Sequence, residues 1–213
     1  MKKKILIGWL AGASLTATAQ DLRTRFIEMP DSLLPVMTRV NREDCIDFLE
    51  SDMAAKVKNR FGEPTEMTAL TADYLHLDLT SASTVEMKLL PLNDSTQVTC
   101  VVQTVTGPVA DSSVRFYDAR WQELPQENFF AYPDDDLFFL PVDTMTDELV
   151  ALHAKADMYL VKAALSVEDT SLTLTYTTPE YLSKEDREAL EPLLRKTPLT
   201  YEWNGSSFVL KEE

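Results

Sequence analysis

Apolar positions change their spacing several times along the chain, and each change predicts an element. Residues 20–30 suit an extended or short helical segment. Asp31 can then cap a short helix carrying Leu33, Leu34, Val36 and Met37, limited by Pro35. Next, Ile46, Leu49, Met53 and Val57 recur at helical spacing with Cys45 beside them. Asn41 fits the N-cap, and Glu43 and Asp44 lie in the first turn, where negative charge suits the helix dipole. Gly62 offers a left-handed stop and Pro64 prevents a restart. The spacing predicts a long helix over 42–61 with one apolar face.

From Tyr74 the period falls to two. Tyr74–Leu79, Val85–Leu90, Val98–Val105 and Val114–Trp121 predict four strands, separated by Ser81-Ala82-Ser83, Asn93-Asp94-Ser95 and Gly107-Pro108. Short even spacing predicts an antiparallel meander, with the helix covering one face. Residues 122–141 are irregular, broken by Pro125, Pro133 and Pro141, and form a connector. A short helix from Thr146, a hairpin over 158–167 and 171–178, a short helix capped by Ser183, and a terminal hairpin around Asn204-Gly205 follow. The expected fold class is α+β: antiparallel meander sheets packed against a long N-terminal helix. Halves 20–121 and 142–213 share a loose helix-plus-meander plan, so a pseudo-duplicated architecture competes with a single mixed sheet.

The N-terminus adds a location. Lys2, Lys3 and Lys4 precede an apolar run over 5–15, and Ala17-Thr18-Ala19 gives small residues before Gln20. This order is that of a cleavable secretory leader over 1–19, and the run is too short for the roughly 20 residues of a membrane span. A single domain over 20–213 then works in the periplasm or outside the cell, with no membrane span after cleavage. The chain carries −15, and losing the leader's three lysines and no acids leaves −18. That field argues against nucleic acid. Export also permits a disulfide between Cys45 and Cys100, although both sit in apolar patterns that equally suit buried free thiols.

Candidate chemistry is sparse. Phosphate-loop and dinucleotide patterns are absent, so no cofactor is expected. Two histidines, His76 and His153, and five glycines leave little material for a nucleophile–base pair with an oxyanion hole. With 35 acidic residues, carboxylate pairs are inevitable and point to no cleft. Asp134, Asp135 and Asp136 could bind calcium, but consecutive aspartates lack a calcium loop's spacing and suit a solvated turn. The aromatic residues Tyr117, Trp121, Phe129, Phe130, Tyr132, Phe138 and Phe139 are the candidate binding residues: exposed, they would form a contact surface for an envelope protein or glycan; buried, they would complete the core.

Three stretches carry a resemblance: Met29-Pro30-Asp31-Ser32-Leu33-Leu34-Pro35 with Arg42-Glu43-Asp44-Cys45-Ile46-Asp47; Leu70-Thr71-Ala72-Asp73-Tyr74-Leu75; and Asp111-Ser112-Ser113-Val114-Arg115-Phe116-Tyr117-Asp118 running to Trp121. Together they resemble a family of exported domains of unknown function from gut-type Bacteroidales. The resemblance implies export and an α+β fold, and it carries no catalytic residue. The expected function is a non-enzymatic binding or interaction module of the bacterial envelope. The alternative is an extracytoplasmic hydrolase using acidic residues.

Overall fold

The computed structural model describes residues 21–93, 96–141 and 146–211. The expected leader over 1–19 lies outside the described residues.

Helix α1 (Leu22–Glu28) is capped by the Asp21 carboxylate, which accepts from Thr24 N, and it buries Leu22 and Phe26. The stretch expected to form a helix after Asp31 forms turns instead. Helix α2 (Arg39–Glu50) starts earlier than its pattern suggested. Thr38 is the N-cap, and Asn41 closes a capping box as the third helical residue.

The long helix expected over 42–61 does not form. Helix α2 stops at Glu50, Asp52 turns the chain at φ 54°, and residues 55–58 become strand β1 (Ala55–Lys58). Ala55 and Val57 face in while Lys56 and Lys58 face out, so the period here is two. Met53 and Val57 continue the helical spacing only by coincidence, and Met53 is exposed. Pro64 opens a strand, β2 (Pro64–Leu70), at a position where a missing amide is tolerated.

The remaining strands of this sheet are β3 (Tyr74–Thr80), β4 (Ser83–Asn93), β5 (Thr96–Thr106), β6 (Ala110–Tyr117) and β7 (Glu123–Leu124). They form a seven-stranded antiparallel meander in the order β1 to β7. Its two faces bury separate clusters. Leu75, Leu77, Val85, Met87 and Leu89 pack beneath α1 and α2, whereas Tyr74, Leu90, Val98, Cys100, Val102 and Phe116 face the other way. Adjacent Leu89 and Leu90 therefore serve opposite cores, as the pleat requires.

The second face is covered by a four-stranded antiparallel sheet. Helix α3 (Asp147–His153) leads to β8 (Val161–Leu165) and β9 (Ser171–Tyr176); helices α4 (Thr178–Tyr181) and α5 (Lys184–Leu190) precede β10 (Leu199–Trp203) and β11 (Phe208–Leu210). Ser183 caps α5, as its spacing to Asp186 predicts. The terminal hairpin forms at Asn204-Gly205, where Gly205 takes φ 96° and the Asn204 side chain accepts from Ser206 N and Ser207 N.

The fold is thus mostly antiparallel β, two face-packed sheets with helices of four to twelve residues among the described residues. This corrects the expected α+β class with its long N-terminal helix. The pseudo-duplicated plan fails as well: one sheet is an unbroken meander behind two helices, and the other has two helices inserted between its second and third strands. No described helix is long and apolar enough to cross a membrane.

Candidate functional site

The seven aromatic residues singled out in the sequence divide between the two faces of the large sheet. Tyr117 and Trp121 belong to the helix side. Trp121 sits at φ 60° in the turn after β6, donates from Nε1 to the Arg25 carbonyl at 3.2 Å, and lies 4.9 Å beneath the Arg25 guanidinium. The pair anchors α1 to the sheet.

The other five belong to the cluster on the opposite face, two of them buried in it and three packed at its margin. Phe130 and Phe138 are buried in the core that the sheets share, a burial that stabilises by about 1.5–3 kcal/mol per ring. Phe129 is half-buried and stacks on Phe116 at 4.9 Å. Phe139 is half-buried against the His153 ring at 4.3 Å. Backbone bonds hold the connector to β11, from Phe208 N to Phe129 O, and to the segment before β10, from Arg195 N to Phe138 O.

Tyr132 occupies a different position. Its hydroxyl donates to the Ser112 carbonyl at 2.9 Å, on the outer edge of β6. Thr177 Oγ1 donates to the Ala110 carbonyl at 2.6 Å on the same edge, and β7 pairs with its far end at Phe116 and Tyr117. Side chains thus occupy edge groups that would otherwise accept a further strand. Burial pushes the Tyr132 hydroxyl up to about 12, so the phenol is neutral and a donor.

An open groove of about 540 Å³ runs along this edge, lined by Asp111, Arg115, Glu123, Gln126, Tyr132 and Tyr159 among others. Tyr159 packs edge-on against Tyr132 at 6.4 Å, and its own hydroxyl donates to the Pro133 carbonyl at 2.8 Å. Both rings are therefore fixed by their polar ends. Burial raises the Tyr159 hydroxyl too. Asp111 accepts from Val161 N at 3.1 Å, which aligns the small sheet with the groove wall. Tyr159, Asp111 and Gln126 were not among the candidate binding residues, although Asp111 opens one of the stretches that carry the resemblance. Tyr159 read only as the start of a strand, and nothing local marks it as the partner of Tyr132.

The histidines and acids are placed as follows. His76 is half-buried on β3 with Nδ1 2.7 Å from Thr68 Oγ1. His153 Nε2 points at Asp135 and Asp136, at 3.8 and 3.6 Å. These three are the residues able to share a metal ion among those described, and exposed Asp134 is not one of them. Cys45 and Cys100 are free and buried. They lie in clusters on opposite faces of the large sheet, which separates them beyond a disulfide's reach.

Fold and groove together define a two-sheet antiparallel protein whose inter-sheet connector supplies one wall of an open aromatic and polar groove. The family model described as "Protein of unknown function (DUF3256)" matches residues 14–208, and the chain belongs to that family. Among solved structures it is similar to one described as "Structure of a domain of an uncharacterized protein from Porphyromonas gingivalis W83". The TM-score is 0.81 and the identity 28%, over 92% of this chain and 100% of that one. No curated protein matches the chain.

Proposed function

We propose that the chain is an exported binding module without catalytic activity, and that the groove between β6 and the connector takes an oligosaccharide of the cell envelope. The observation that carries this reading is the pair Tyr132 and Tyr159. Their hydroxyls are spent on backbone carbonyls, so the rings form a rigid apolar wall. Asp111, Arg115, Glu123 and Gln126 set hydrogen-bonding groups around it. Concave sites that hold small polar ligands combine those two features, and preorganised aromatic groups limit the entropy lost on binding. A stable protein interface buries about 800 Å² per partner around an apolar centre, and a polar-rimmed groove of this size suits a few sugar units better.

Export rests on the order of residues 1–20. It predicts that chain recovered from a cell's envelope fraction begins at Gln20, as read by intact mass. The ligand class is tested by presenting the chain from Gln20 onward to an array of bacterial envelope glycans. Saturable binding to a defined subset supports the reading. No glycan bound, with a stoichiometric complex formed by one purified envelope protein, would replace it with a protein partner.

A further inference from the structure

We infer that Asp135, Asp136 and His153 form a site for a divalent transition metal, tying the connector to the end of α3. The site stands apart from the groove reading, and neither depends on the other.

The three residues come from two elements. Asp135 and Asp136 open the 3₁₀ turn Asp135–Phe138, and His153 ends α3. One ligand atom from each, His153 Nε2 and a carboxylate oxygen from each aspartate, falls within 4.8 Å of the others.

The contacts have the spacing of ligands and not of hydrogen bonds. An imidazolium paired with a carboxylate closes to about 2.7–2.9 Å. Here Nε2 stands 3.8 Å from Asp135 Oδ2 and 3.6 Å from Asp136 Oδ1. Two ligands each about 2.1 Å from one tetrahedral ion are about 3.4 Å apart, so the two histidine–aspartate separations are within a few tenths of an ångström of that spacing. Nε2 is also sealed from solvent without a hydrogen-bond partner, and such a group costs free energy unless something satisfies it. The Phe139 ring, 4.3 Å away, holds the imidazole in this direction.

The donor set selects the ion. Calcium and magnesium take oxygen, whereas one imidazole with two carboxylates suits zinc and its neighbours. Two carboxylates and a neutral imidazole carry −2, which a divalent ion cancels. The Asp136 side chain is 87% exposed, so the ion would keep a side open to water or a ligand.

The test is calorimetric titration of zinc chloride into the chain from Gln20 onward, with excess magnesium present to saturate the diffuse acidic surface. One saturable site is expected. Affinity should fall at least tenfold in both His153→Gln and Asp136→Asn, and should stay unchanged in His76→Gln. Asp136 is exposed, so its variant keeps the test valid should His153→Gln unfold. Equal zinc binding by the wild type and the two site variants, or no saturable binding, would overturn the site.

Discussion

The Tyr132 hydroxyl donates to the Ser112 carbonyl oxygen at 2.9 Å, across twenty residues of chain. This bond fastens the connector to the edge of the large sheet and fixes one wall of the groove. Tyr132→Phe keeps the ring and leaves the Ser112 carbonyl without that donor. An unsatisfied buried acceptor costs about 1–3 kcal/mol, so urea denaturation should show a loss in that range. Tyr159→Phe should cost less, because Tyr159 is 41% exposed and water can replace its bond to Pro133.

Cys45 and Cys100 should both be free and silent in the folded chain. Burial, with Asp44 adding to it, pushes the Cys45 thiol up to about 11. Burial raises Cys100 as well. The thiolate is the reactive form, so Ellman's reagent should find no fast thiol at neutral pH and two after denaturation. A thiol count of zero in denaturant would mean a disulfide and would contradict the placement on opposite sheet faces.

Arg42 is fully buried on α2 and donates to Asp31 Oδ1 and to the carbonyls of Ile27, Met29 and Met37. It gathers the segment between α1 and α2 against the sheet. Arg42→Ala orphans those carbonyls together and should lower stability by at least about 2 kcal/mol. An Arg60→Ala control, whose side chain meets Asp31 at the surface, should cost under about 1 kcal/mol.

Acid should destabilise the fold through identifiable carboxylates. The Thr24 backbone amide, with the Thr24 side chain, holds the Asp21 carboxyl below its ordinary value. Hydrogen bonds from the Ser171 and Ser166 side chains do the same for Asp169. A depressed folded pKa stabilises fully above the ordinary carboxylate value, about 4, and that stability is lost as pH falls through the folded value. The melting temperature should therefore be insensitive to these two groups from pH 7 to about 5 and drop below about 4. Asp21→Asn with Asp169→Asn should melt lower at pH 7 and fall less steeply in acid. Parallel curves would remove these two groups from the account.

The strands from Tyr74 to Tyr117 were legible because Val, Leu and Thr alternate there and turn residues separate them. Ser183 and Asn204-Gly205 were legible because caps and tight turns are local chemistry. The helix over 42–61 was misread because Met53 and Val57 fall where a fourth and fifth turn would put them. The left-handed backbone at Asp52 breaks that register, and no side-chain spacing announces it. Arg42 was invisible as a core residue, since a charge is buried only when distant carbonyls meet it. The site was legible in part. The aromatic connector stood out by composition, but its division between buried rings and a groove wall depends on long-range partners. Tyr159 and His153 lie 27 and 18 residues beyond Tyr132 and Asp135, and only the tertiary fold brings each pair together.

The central claim is that the Tyr132–Tyr159 groove is the binding surface. Its direct test is titration calorimetry of the chain from Gln20 onward, and of its Tyr159→Ala and Gln126→Ala variants, with the envelope oligosaccharide that binds best in the array. The groove account predicts at least a tenfold loss of affinity in each variant, with the melting temperature little changed in Gln126→Ala. Wild-type affinity in both variants would place the binding surface elsewhere and contradict it.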